Sequence, residues 1–164
     1  MQMTLEDIKI GIVGLGYVGL PLASEFGKKY PTIGFDINKN RIQDLKNSND
    51  YTNELTKKEL LAADHLEFTS DHLDLSDCNI YIITVPTPID TTNKPDIKAL
   101  KNASRMIGDL LDINDIVVYE STVYPGLTEE ECVPILESQS KLKANVDFFY
   151  GYSPERINPG DKTH

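Results

Sequence analysis

Short runs of aliphatic and β-branched residues alternate along this chain with stretches in which apolar positions return every three or four residues. Residues 8–13, 32–36, 79–85, 116–120 and 147–152 read as buried strands, with 66–69 a shorter and weaker one. Residues 18–29, 39–46, 56–63, 97–111 and 128–138 read as helices. The strand runs are continuously apolar, which suits a sheet covered on both faces, and strand followed by helix calls for right-handed crossovers between parallel strands. The pattern predicts a single α/β domain over residues 1–164, doubly wound around a mainly parallel sheet. There is no internal repeat, low-complexity tract or linker.

The first strand breaks into Gly14-Leu15-Gly16-Tyr17-Val18-Gly19, a GxGxxG spacing that then resumes as a helical pattern. In a dinucleotide cradle the first glycine makes the tight turn, the second admits a pyrophosphate to the backbone and the third lets helix and strand pack closely. The helix start supplies unpaired N–H groups and the positive end of its dipole. Asp36 ends the second strand 22 residues after Gly14. An acid there accepts hydrogen bonds from ribose hydroxyls and repels a 2′-phosphate, so the expected cofactor is NAD rather than NADP. The alternative for Asp36 is capping the next helix, a task open to Asn38. Arg41, one turn into that helix, either stacks on adenine or solvates its face.

Composition narrows the classes further. The 164 residues are 40% hydrophobic and carry a formal charge of −10, with a pI near 4.7. That balance argues against nucleic-acid and anionic-membrane partners, but not against a phosphate site built from backbone amides. Cys78 and Cys132 form no CxxC pair, so neither a metal cluster nor a disulfide framework is expected. No window of about 18 apolar residues occurs, and the first residues lack a basic-then-apolar signal, which makes the cytoplasm the expected location.

Three later strand exits carry candidate chemistry, since ligands of open α/β sheets sit beyond the carboxyl ends of strands. Pro86-Thr87-Pro88 stiffens the first exit and offers the Thr87 hydroxyl, or is an ordinary proline turn. At the second, Glu120-Ser121-Thr122-Val123-Tyr124-Pro125-Gly126, Ser121 and Thr122 contact a nicotinamide ribose or reacting hydroxyl, or else satisfy loose backbone groups. At the third, Ser153-Pro154-Glu155-Arg156, Glu155 positions water or acts as a base, or is a solvated loop acid.

Taken in order, GLGYVGLP, the strand-end Asp36, VPTP, ESTVYPG and SPERINPGD resemble the UDP-glucose/GDP-mannose dehydrogenase family over essentially the whole chain. Within it, the segments continuing as TEEECVPIL and GYSPERINPGDK look most like the branch that oxidises UDP-N-acetylhexosamines for surface polysaccharides. The resemblance implies a Rossmann-type NAD-binding domain and a four-electron oxidation at C6 of a UDP-sugar. Two NAD accept the hydrides, a cysteine carries the intermediate thioester and water releases the carboxylate. It further implies that Val18, Asp36, Arg41 and Thr87 hold the adenosine half of NAD, with Gly14, Gly16, Tyr17, Gly19 and Pro86 lining the same cofactor site. Thr122 would stand, with Ser121, near the nicotinamide and catalytic water, and Glu155 would assist thioester hydrolysis. Pro159 departs from the pattern, because some UDP-glucose enzymes carry a glutamate there.

In that family a central helix and a second domain supply the nucleophile and most of the UDP-sugar site, and the full-length enzyme is expected to be a homodimer. These 164 residues therefore read as the N-terminal part, expected to bind NAD and to oxidise nothing alone. Cys132 follows three glutamates that oppose thiolate formation, and Cys78 reads as a packed side chain, so neither is the expected nucleophile. His65, His72 and His164 lie at no ligand spacing. An NAD-sensing regulatory module would share the glycines and Asp36, and a β-hydroxyacid dehydrogenase would share the glycines, but neither requires the three later motifs. A remnant acting only as an interaction domain would bind no NAD.

Overall fold

The computed structural model describes residues 4–88, 95–121 and 124–154. Six strands, β1 (Ile10–Val13), β2 (Thr32–Phe35), β3 (Leu66–Thr69), β4 (Ile80–Ile83), β5 (Ile116–Tyr119) and β6 (Phe149–Tyr152), form one sheet. Its order is β3-β2-β1-β4-β5-β6, and every pairing is parallel. The helices are α1 (Gly19–Gly27), α2 (Lys39–Lys46), α3 (Lys57–Leu61), α4 (Lys98–Gly108) and α5 (Val133–Ser140). This is the doubly wound fold that the alternation of apolar runs predicts, with its switch point at β1.

Alternate side chains of the central strands feed two separate cores. Ile10, Ile12 and Ile82 bury one face beneath Leu20 and Ala23 of α1, Ile42 and Leu45 of α2, and Leu60 of α3. Val13, Tyr81, Ile83, Val117 and Tyr119 bury the other beneath Leu100, Ala103 and Ile107 of α4 and Leu136 of α5. Each fully buried aliphatic side chain contributes about 1.5–3 kcal/mol, so the sheet is held from both sides.

The ends of elements are set by local chemistry. Asn38 accepts from the amides of Asn40 and Arg41 and caps α2, which takes that duty away from Asp36. Thr56 and Glu59 form a reciprocal capping box on α3. The helix expected over 128–138 divides into a π-helical turn, Thr128–Cys132, and α5. Pro134 has no N–H to give Glu130, so the α ladder cannot run unbroken through this junction. A 3₁₀ turn, His72–Leu75, capped by Asp71, has no counterpart in the apolar periodicity.

Candidate functional site

The register of the sheet gathers the motifs along one edge. Val13 lies opposite Phe35 and Ile83, Ile83 opposite Tyr119, and Tyr119 opposite Tyr152. The chain therefore leaves β1, β2, β4, β5 and β6 side by side, and Gly14, Asp36, Thr84, Glu120 and Ser153 open onto a common rim. This is where an open parallel sheet binds ligands.

Each motif glycine meets a different requirement. Gly14 has φ +98°, which favours glycine. A Cβ on Gly19 would stand 1.8 Å from the Gly14 carbonyl oxygen and 2.4 Å from the Thr84 hydroxyl, so helix and turn approach as closely as they do only because no side chain intervenes. Among the described residues, a Cβ on Gly16 would meet no atom within 4 Å beyond its chain neighbours. Around it, the N–H groups of Gly16, Tyr17 and Val18 have no acceptor among the described residues, and no side chain caps α1. An open backbone surface, unpaired amides and a helix start together fit the pyrophosphate of a dinucleotide, which anchors NAD at its centre. Tyr17 is exposed and Val18 half-buried beside this surface.

The Thr84 hydroxyl donates to the Gly14 carbonyl at 2.7 Å and fixes the turn from the neighbouring strand. Sequence reasoning did not single out Thr84, although a hydroxyl at the end of β4 was visible in the same run as VPTP. Asp36 bonds the loop directly. Its Oδ2 accepts from the Leu15 amide at 2.9 Å and its Oδ1 from the Asn38 amide at 2.8 Å. Two bonds leave a carboxylate with further lone pairs for ribose hydroxyls.

Arg41 departs from both roles expected of it. Its side chain is only 1% exposed, so it neither solvates the helix nor presents a face to adenine. Nε donates to the Leu15 carbonyl at 2.9 Å, Nη1 to Asp50 Oδ1 at 2.8 Å, and the Tyr51 ring covers the guanidinium at 4.3 Å. Asp50 also accepts from the Thr52 hydroxyl and from the amides of Thr52, Glu54 and Leu55. Burial alone would raise its pKa, but the bonds from Thr52, Leu55 and Arg41 outweigh it and hold the carboxyl below the usual range. Asp50, Tyr51 and Thr52 escaped sequence reasoning because they lie in a polar stretch that reads as an ordinary loop.

The later exits are partly described. Pro86 is exposed and Thr87 half-buried on the rim. Ser121 is buried, and its hydroxyl donates to the Val85 carbonyl at 2.9 Å, so it takes the backbone-satisfying role and ties the β5 exit to the β4 exit. Thr122 and Glu155 lie outside the described residues, as do the rest of SPERINPGD beyond Pro154 and residues 89–94.

Both thiols are removed from this chemistry. Burial pushes Cys78 up to about 12. Cys132 is raised chiefly by burial; its sulfur hydrogen-bonds with Ser104 and Tyr119, and the small effect of Glu131 is opposed by Lys101. The glutamate run therefore matters less to Cys132 than enclosure does. Among the described residues no group of three or more His, Cys, Asp and Glu side chains could hold a metal, and no helix is long and apolar enough to cross a membrane.

Comparison with known proteins agrees with this geometry. The model of the UDP-glucose/GDP-mannose dehydrogenase family, NAD binding domain, matches residues 8–164. A UDP-N-acetyl-D-glucosamine 6-dehydrogenase from Salmonella typhi is 59% identical over 98% of this chain, and one from Pseudomonas aeruginosa is 58% identical over 98%. The chain spans 38% of the length of each. The solved structure of a UDP-D-ManNAc dehydrogenase from Pyrococcus horikoshii superposes with a TM-score of 0.85 at 34% identity, covering 93% of this chain and 37% of that one.

Proposed function

The chain belongs to the UDP-glucose/GDP-mannose dehydrogenase family, as its NAD-binding domain, and on that premise we propose that it serves an enzyme oxidising C6 of a UDP-N-acetylhexosamine to the uronic acid. That enzyme consumes two NAD, works in the cytoplasm as a homodimer and feeds surface polysaccharide synthesis. The Salmonella and Pseudomonas relatives support N-acetylglucosamine as the sugar. NAD supplies the hydride acceptor when bound; the chain's part is to hold and orient it.

In this reading the amides of Gly16, Tyr17 and Val18 take the pyrophosphate between Gly14 and Gly19. Asp36 takes the adenosine ribose, while Pro86 and Thr87 border the adenosine side. Ser121 ties the β5 exit to the β4 exit; Thr122 serves the nicotinamide half, and Glu155 assists hydrolysis of the thioester. The observation that carries the reading is the Gly16 surface, open and lined by unpaired amides, directly beside Asp36.

Calorimetric titration of the chain with NAD and NADP tests it. NAD binds at least about tenfold more tightly, a difference of about 1.4 kcal/mol, because Asp36 repels a 2′-phosphate. Equal affinities overturn the role of Asp36. Both cysteines of these 164 residues are buried with raised pKa values, so the chain alone turns over no UDP-sugar. Production of NADH from UDP-N-acetylglucosamine by the chain would place a nucleophile here and overturn that part.

A further inference from the structure

Leu15 is held at both of its peptide groups by side chains of the β2–α2 region. Its N–H goes to Asp36, and its carbonyl accepts from Arg41 Nε. In a trans peptide the carbonyl and the following N–H point in opposite directions. Fixing the Leu15 carbonyl toward α2 therefore aims the Gly16 N–H away from α2, and that N–H is one of the amides with no acceptor among the described residues.

Arg41 can hold this direction only if its own guanidinium is held. Asp50 does so through Nη1, and Asp50 is itself locked by bonds from Thr52, Glu54 and Leu55. Tyr51 covers one face of the guanidinium. A buried ion pair is a poor way to gain stability, because desolvation offsets most of the attraction. Its use here is geometric.

We propose that Asp50 is a positioning residue for dinucleotide binding: through Arg41 and the Leu15 carbonyl it orients the Gly16 amide toward the cofactor pyrophosphate. The proposal rests on the reading that the glycine loop binds that pyrophosphate. It assigns Arg41 to the phosphates, acting through backbone, rather than to adenine.

The test compares adenosine, which lacks phosphate, with ADP-ribose, which carries the pyrophosphate, on the wild-type chain, on Asp50→Asn and on the double variant Arg41→Met/Asp50→Leu. The double variant leaves no buried charge alone, which avoids the largest penalty of a single truncation, and its amide spectrum checks that it is folded. Affinity for ADP-ribose falls by about tenfold in both variants while that for adenosine stays within about twofold. The Gly16 amide resonance, shifted by ADP-ribose in the wild type, loses that shift in the variants. Unchanged ADP-ribose affinity in the folded double variant, or an equal loss for both ligands, overturns the proposal. A wild-type chain that binds ADP-ribose no better than adenosine overturns instead the reading of the glycine loop, and the proposal with it.

Discussion

Asp50 and Asp115 are almost equally withdrawn from solvent, at 8% and 5% exposure, yet they titrate in opposite directions. Asp50, beside the glycine loop, has a guanidinium and four donor groups and stays below the ordinary carboxylate value of 3.8. Asp115 stands just before β5, at the opposite end of the sheet, and among the described residues its carboxylate accepts one bond, from the Asp112 amide at 2.8 Å. Burial, aided by the charge of Asp112, lifts it to about 6 against that bond. Burial sets the penalty on a charge, and the number and kind of donors decide whether it is overcome. The cofactor end of the sheet uses a fully satisfied charge to fix a backbone direction; the far end carries an acid that the fold leaves under-bonded.

The largest effect expected from breaking this contrast is at Asp50. Asp50→Ala leaves Arg41 charged and buried without its partner, and urea unfolding should show a loss of about 3–5 kcal/mol. The signs of the pH dependence also differ. Asp50, with a lowered pKa, contributes stability that is present above the unfolded value and lost as pH falls through the folded one. Asp115, with a raised pKa, lowers stability above pH 6, and that penalty disappears as pH falls from about 6 toward 3.8. Asp115→Asn keeps an acceptor for the Asp112 amide and removes the charge, so it should stabilise the chain by about 1–2 kcal/mol at pH 7.5. In melts near pH 4 the gain should vanish; a gain independent of pH would contradict the assignment.

A smaller effect sharpens the same point with neutral groups. The Tyr119 hydroxyl lies 2.7 Å from Ser104 Oγ in the core under α4, also near Cys132. Tyr119→Phe removes its bonds to two uncharged partners, Ser104 and Cys132, and Ser104 retains its bond to the Leu100 carbonyl. Thermal unfolding should register about 1 kcal/mol, well below the loss at Asp50.

The central strands were legible because strands covered on both faces are apolar throughout, as Ile10–Val13 and Ile80–Ile83 are; elsewhere 66–69 and 39–46 coincide with β3 and α2 to the residue. Strand ends were less so: Asp36 and Glu120 read as the last strand residues and their amides still bond to Thr69 and Ile83, but β2 ends at Phe35 and β5 at Tyr119. The glycines and Asp36 announce themselves by spacing, which is a property of the chain alone. Arg41 does not, because its fate depends on partners 9 and 26 residues distant that no local pattern links to it. Ser121 likewise looks like a free hydroxyl until the β4 exit is brought alongside.

The difference between Gly16 and Gly19 reaches into how this chain is free to change over time. Alanine at position 19 would collide with the turn of the same molecule, so folding itself guards that glycine. Alanine at position 16 would strike nothing among the described residues. Gly19 is thus required by the fold whether or not a dinucleotide is bound, whereas a requirement for glycine at position 16 has to come from whatever approaches that backbone.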